Sequence, residues 1–195
     1  AAIRVTGITP QLAAEQGLPE AAFIIRIQQE LAQPKTCGIG YNSIRFDDEI
    51  TRFALWRSLR DPYGREWQNG NSRWDLLDAT RAFRALRPAG IEWPVRDDGF
   101  SSFRLEDLTA ANGIEHSAAH DAMADVVATI EIAKLLKRCD EHLFDTLYRQ
   151  RTKRAVSALV NLDDLTPLVH VSGMFGGARH YLALVVPVAW HPTNN

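Results

Sequence analysis

Asp125 to Arg138 is the stretch that leaves this chain the least conformational freedom. Counted at about 100° per residue from Asp125, the residues Glu131, Lys134, Lys137 and Arg138 fall on the far side, while Thr129, Ile132 and Leu136 lie within about 40° of it. That period makes an amphipathic helix with one stripe against a core, and it lays the Asp125 carboxylate on the packed side. An ionised carboxylate there is strongly disfavoured unless it is paired, either with a divalent cation or, as the plainer alternative, with a neighbouring arginine. His120 would sit about 140° from Asp125 on the same helix, so the two share a site only if His120 precedes the first turn. Placed there it reads as a movable base beside a metal, the plainer alternative being a capping or surface histidine.

Around this helix, strands and helices alternate in an α/β manner. Ile3, Arg4, Val5, Thr6 and Gly7 alternate like the end of a strand already under way, and with no initiator methionine they point to sequence upstream. Thr9 caps and Pro10 begins a short helix, Gly17, Leu18 and Pro19 break it, and a longer helix carrying Phe23, Ile24, Ile27 and Leu31 on one stripe runs to Ala32. Thr36 to Tyr41 reads as a central strand, and Phe46 to Arg60 as a helix. Trp74 to Leu77 fits either a short strand or a helix start, with helix from Asp78 to Leu86 and again from Arg104 to Ala111. Phe144 to Val160 reads as one basic connecting helix, and from Leu168 onward β-branched residues alternate with glycine turns, as in a β-rich second module.

A net charge of -2 provides no global basic field, so any nucleic-acid site is local. Cys37 and Cys139 are far apart and lack metal-ligand spacing, which excludes a zinc knuckle and fits small buried side chains in a reducing cytoplasm. No apolar run approaches the ~20 residues of a membrane span, and no signal peptide is visible.

A second acidic focus, Asp47, Asp48 and Glu49, sits where a strand passes into a helix. Asp48 and Glu49 read as complements to the helix dipole, whereas Asp47 follows a strand end, where α/β proteins place ligands. Two acids from separate elements plus a histidine are part of a two-metal phosphoryl-transfer site. Between Arg52 and Arg87 eight arginines are interleaved with Trp56, Tyr63, Trp67 and Trp74. Guanidinium groups neutralise phosphates and aromatic faces stack on unpaired bases, a combination that favours single strands. The alternative is a solvated arginine face over buried tryptophans, Trp56 and Trp74 in particular.

The segments GYNSIRFDDEITR (40–52), DPYGREWQNGNSRWDLLD (61–78), FRLEDLTAANGIEHSAAHDAMADV (103–126) and PLVHVSGMFG (167–176) together closely resemble the bacterial exodeoxyribonuclease I family. That family belongs to the DEDD exonucleases of the His-containing subgroup, with a ribonuclease H-like fold. The resemblance runs from Gly7–Pro10 to Trp190, His191 and Pro192. It implies that Asp125 is a magnesium ligand, that Asp47 supports the second of two Mg²⁺ ions, for which Mn²⁺ is a substitute, and that His120 deprotonates the attacking water. Arg104 matches a substrate-contacting arginine, and Arg52, Tyr63, Trp67 and Arg81 match positions lining the single-strand path.

The family implies stepwise 3'-to-5' hydrolysis of single-stranded DNA to 5'-mononucleotides in repair and recombination, by a cytoplasmic monomer that contacts the single-stranded DNA-binding protein and no membrane. The expected organisation is an α/β, ribonuclease H-like exonuclease domain over residues 1–140, lacking its first strands, then a connecting helix and the start of an SH3-like domain over 141–195. The family's first motif, an Asp-x-Glu on the opening strand, has no counterpart here. Residues 1–195 by themselves are therefore expected to bind Mg²⁺ weakly and to hydrolyse DNA negligibly. The competing reading is a non-catalytic module that binds single-stranded nucleic acid or acts as an adaptor; an RNA-directed enzyme would share the same chemistry.

Overall fold

The computed structural model describes residues 2–116 and 122–193. Its first element is a helix, α1 (Ala2–Thr6), where the alternation predicts a strand end. A strand leaves its backbone polar groups to a neighbour, whereas a helical turn satisfies them internally, as when the Gly7 N–H donates to the Ile3 carbonyl at 2.9 Å. Five residues are too few to separate the two periods. There follow α2 (Pro10–Gln16), α3 (Glu20–Leu31), β1 (Cys37–Gly40), α4 (Asp47–Arg57), β2 (Ser72–Asp75), α5 (Leu76–Leu86), α6 (Leu105–Ala111) and α7 (Ala122–Cys139). The last elements are α8 (Glu141–Arg149), α9 (Lys153–Ser157), β3 (Leu168–Val171) and β4 (Leu182–Val185). By its internal contacts the chain divides into two units, residues 1–76 with 113–131 and residues 77–112 with 132–195.

In the first unit β1 and β2 run parallel, with Cys37 opposite Ser72 and Gly40 opposite Asp75. A parallel pair needs a crossover, and α4 supplies it. α3 packs on α4 through Ile24, Ile27, Ala54 and Leu55. Full burial of a leucine such as Leu55 contributes about 1.5–3 kcal/mol. Of the stripe predicted on α3, Ile24 is buried, while Phe23 stays half-exposed.

Asn71 ties three segments together: its amide donates to the Leu31 carbonyl at 3.1 Å and its oxygen accepts from the Thr36 N–H at 3.0 Å. The end of α3 and the entries to both strands are thereby held in register. Among the described residues β2 is the one strand paired with β1, so the central position expected of β1 is not met there, and Ile39 is half-exposed. The ambiguity at Trp74 to Leu77 resolves as a strand that passes directly into α5.

In the second unit Phe83, Leu108, Ile132 and Leu136 are fully buried. The single helix expected over Phe144 to Val160 is two, because the Thr152 hydroxyl accepts from the Ala155 N–H at 3.2 Å and starts α9 afresh. β3 and β4 pair antiparallel, with Leu168 opposite Val185 and Val171 opposite Leu182. Among the described residues no helix is long and apolar enough to cross a membrane.

Candidate active site

Gly40 and Asp75 end paired parallel strands at the same edge, and the chain leaves β1 there in a tight turn. Asn42 takes a left-handed conformation (φ 59°), and a side chain on Gly40 would come within 2.6 Å of the Ser43 Cβ, so this position admits only glycine. The buried Asp75 carboxylate fastens the turn by accepting from the Asn42 N–H at 2.8 Å and the Ile44 N–H at 3.2 Å. The turn delivers the chain to Asp47, the first residue of α4.

The three acids at this helix start have three fates. Asp47 is exposed as a residue, and its carboxylate has no side-chain hydrogen bond or ion pair among the described residues. The surrounding protein nevertheless strips water from that carboxylate and pushes its pKa up, the Asp48 and Asp75 charges push the same way, and a backbone hydrogen bond pulls it back. Asp48 turns inward between Arg65 and Arg73, at 2.8 Å from each. Glu49 pairs with Arg52 on the next turn.

Glu66 completes a cage beneath the turn. It takes the Arg52 guanidinium with both oxygens, at 2.8 and 2.9 Å, and Arg73 at 3.1 Å. Asp48, Arg65 and Glu66 are all buried. Asp48 is thus more than the dipole complement expected of it.

Arg52, which the resemblance matches to the single-strand path, has its guanidinium clamped by Glu66, which holds it protonated more firmly than usual. It also lies 5.1 Å from the centre of the Tyr63 ring. Tyr63 and Trp67 expose their rings as expected. Of the two tryptophans that fit a core equally well, Trp74 is buried and Trp56 is largely exposed.

The second focus is the start of α7. Thr129, Ile132 and Leu136 form the buried stripe as predicted. Asp125 does not join it: one turn earlier, where the packed face ends, its side chain is 46 % exposed. Among the described residues the partner is not an arginine, and His120 lies outside them. That partner is His116, whose Nε2 is 2.8 Å from the Asp125 Oδ1 and whose own side chain is only 6 % exposed. Nothing in the pattern pointed to His116, nine residues before Asp125.

The remaining two candidates lie in the other unit. Arg104 caps α6 and is 69 % exposed, pairing at 2.5 Å with Glu106. Arg81 bonds Asp78 at 2.6 Å and lies 5.1 Å from the centre of the Tyr181 ring, which leaves it 17 % exposed and ties α5 to the segment before β4.

Among the described residues no three His, Cys, Asp or Glu side chains gather into a metal site. The donors at Asp47 and Asp125 are hard anionic oxygens at the surface, which suit Mg²⁺ or Mn²⁺ better than zinc.

Comparison with known proteins adds the following. The exonuclease family model matches residues 1–133, and the model of the exonuclease I SH3-like domain matches residues 151–195. Exodeoxyribonuclease I of Escherichia coli (strain K12) is 58 % identical over 193 residues, covering 99 % of this chain and 41 % of the relative. Among solved structures, E. coli Exonuclease I in complex with a dA16 oligonucleotide has a TM-score of 0.93 at 57 % identity, over 99 % of this chain and 41 % of that one. An ExoI/SSB-Ct complex has a TM-score of 0.91 at 56 % identity, over 99 % and 42 %. The chain therefore spans about two fifths of the length of the relatives it matches.

Proposed function

The chain belongs to the exonuclease family, with a ribonuclease H-like exonuclease domain followed by exonuclease I SH3-like sequence, and from that premise we propose that it serves a 3'-to-5' exodeoxyribonuclease. The substrate is single-stranded DNA, released as 5'-mononucleotides in repair and recombination, and the enzyme works in the cytoplasm as a monomer. We place the boundary of the exonuclease domain at residue 140. The observation that carries this reading is Asp47: a surface carboxylate with a raised pKa, delivered to the C-terminal edge of a parallel strand pair. The related structures bound to an oligonucleotide and to SSB-Ct support single-stranded DNA and the single-stranded DNA-binding protein as partners.

Asp47 and Asp125 are the residues we assign to Mg²⁺, with Mn²⁺ as substitute. When bound, the ions supply Lewis-acid stabilisation of the phosphodiester oxygens and a more acidic water. His120 takes the proton of the attacking water, a task suited to an imidazole at neutral pH. Tyr63 and Trp67 offer faces to successive bases, each worth about 1–3 kcal/mol, and Arg104 meets a phosphate. Arg52 and Arg81 line the same single-strand path, Arg52 beside the Tyr63 ring. For residues 1–195 assayed by themselves we expect weak Mg²⁺ binding and negligible hydrolysis, since only two carboxylates are assigned to the metals.

The test is digestion of 5'-labelled single strands by the complete protein and by Asp47→Asn, Asp125→Asn and His120→Ala. Stepwise shortening from the 3' end is expected for the wild type, with a loss on the order of 10²–10⁴-fold for His120→Ala and at least as much for the Asp variants. Undiminished cleavage in Asp125→Asn and His120→Ala would remove the mechanism.

A further inference from the structure

We propose that His116 is a positioning residue for the Asp125 carboxylate, its Nε2–H holding Oδ1 so that the second oxygen is presented to a divalent cation; this rests on reading Asp125 as a metal ligand. The geometry is asymmetric in the sense such a role requires. The imidazole is nearly enclosed, at 6 % exposure, while the carboxylate it holds is 46 % exposed and reaches solvent. At 2.8 Å the contact is a charge-assisted hydrogen bond, and an ionised carboxylate accepts only, so the imidazole donates. Thr129 steadies the same residue from the other side, its hydroxyl donating to the Asp125 carbonyl at 2.7 Å.

A carboxylate on the first turn of a helix otherwise rotates freely about its last bond, and each ion captured must arrest that rotation. A buried donor on one oxygen arrests it in advance and leaves the other oxygen aimed. Partners of this kind orient metal ligands, and their removal typically weakens metal affinity by about 10–100-fold. His116 and His120 then divide the work: one anchors the ligand and the other stays available for proton transfer.

The experiment measures Mn²⁺ affinity by electron paramagnetic resonance on the complete protein, together with kcat and KM on single-stranded DNA. His116→Leu is expected to weaken Mn²⁺ binding by about 10–100-fold and to lower kcat at subsaturating metal, with KM for DNA unchanged. His116→Gln, which restores a donor, is expected to recover most of the loss. A folded His116→Leu variant with wild-type Mn²⁺ affinity overturns the proposal.

If His116→Leu fails to fold, the imidazole ¹⁵N resonances decide. The His116 signal is expected to shift between wild type and Asp125→Asn, and an unchanged signal overturns the hydrogen bond. Asp125→Asn also separates the two readings. Unchanged Mn²⁺ affinity in that variant removes the ligand assignment and the His116 role with it, whereas lost affinity there beside unchanged affinity in His116→Leu removes the positioning role alone.

Discussion

Two helices that begin in the same unit open on acids that we assign to the same chemistry, yet these are held in opposite ways. The start of α4 stands on a closed cage of charges, Asp48 and Glu66 shared among Arg52, Arg65 and Arg73, most of it buried. Among the described residues the start of α7 holds its acid by one hydrogen bond from one histidine. A buried cage contributes little net stability against an apolar replacement, but taking away one member strands the rest. A single hydrogen bond at half exposure carries no such hazard. The difference separates rigidity from reactivity: around Asp47 the fold is built to stay still, and around Asp125 one contact sets the aim.

The sharpest way to break that contrast is Asp48→Ala, which leaves Glu66 as the one acid among Arg52, Arg65 and Arg73 in a largely buried cage. Denaturant unfolding should show a loss of about 3–5 kcal/mol. A loss under about 1 kcal/mol would mean that the cage opens to water and is not a foundation.

Asp75→Ala should come next. It strips two backbone N–H groups in the turn of their acceptor and should cost about 1–3 kcal/mol, with Asp75→Asn recovering part. Asp125→Asn should then change stability by no more than about 0.5 kcal/mol while abolishing cleavage. If it destabilised as strongly as Asp48→Ala, the two helix starts would not differ in kind.

Local chemistry made the helix boundaries legible. Thr9 and Pro10 announce α2, and the stripe of Thr129, Ile132 and Leu136 announces the packed face of α7, because a cap or a period needs only neighbours in sequence. The misreadings have the same root. Five alternating residues did not distinguish α1 from a strand, and the cap at Thr152 went unread inside a basic run. The same period put the Asp125 carboxylate on the packed side, whereas that face ends before it and leaves its side chain half-exposed.

What was not legible depends on residues brought together from afar. Asp75 holds a turn 33 residues back, Arg73 reaches Asp48 across 25, and no pattern in the chain says that Arg52 and Arg73 will share Glu66. The ion pairs of Arg52 and Arg81 went unread for that reason: composition counts charges, and only the fold shows which of them pair with one another.

The smallest expected effect tests the other half of the comparison, the acid that the cage supports. Asp47 has a raised pKa, so the folded protein holds its proton more tightly than the unfolded chain does. The stability that this proton confers is fully present below about pH 4, the ordinary aspartate range, and is lost as pH rises through the higher folded value. At neutral pH the ionised side chain is therefore a mild burden that asparagine does not carry. Without metal, Asp47→Asn should melt slightly above wild type, by up to about 2 °C at pH 7, and the gap should shrink as pH falls toward 4. Adding Mg²⁺ should close or reverse the gap, because a cation bound at Asp47 stabilises only the wild type. A gap of opposite sign without metal would show that the Asp47 carboxylate is welcomed by its surroundings. One that ignores Mg²⁺ would place the ion elsewhere, and the cage beneath α4 would then be supporting something other than a metal ligand.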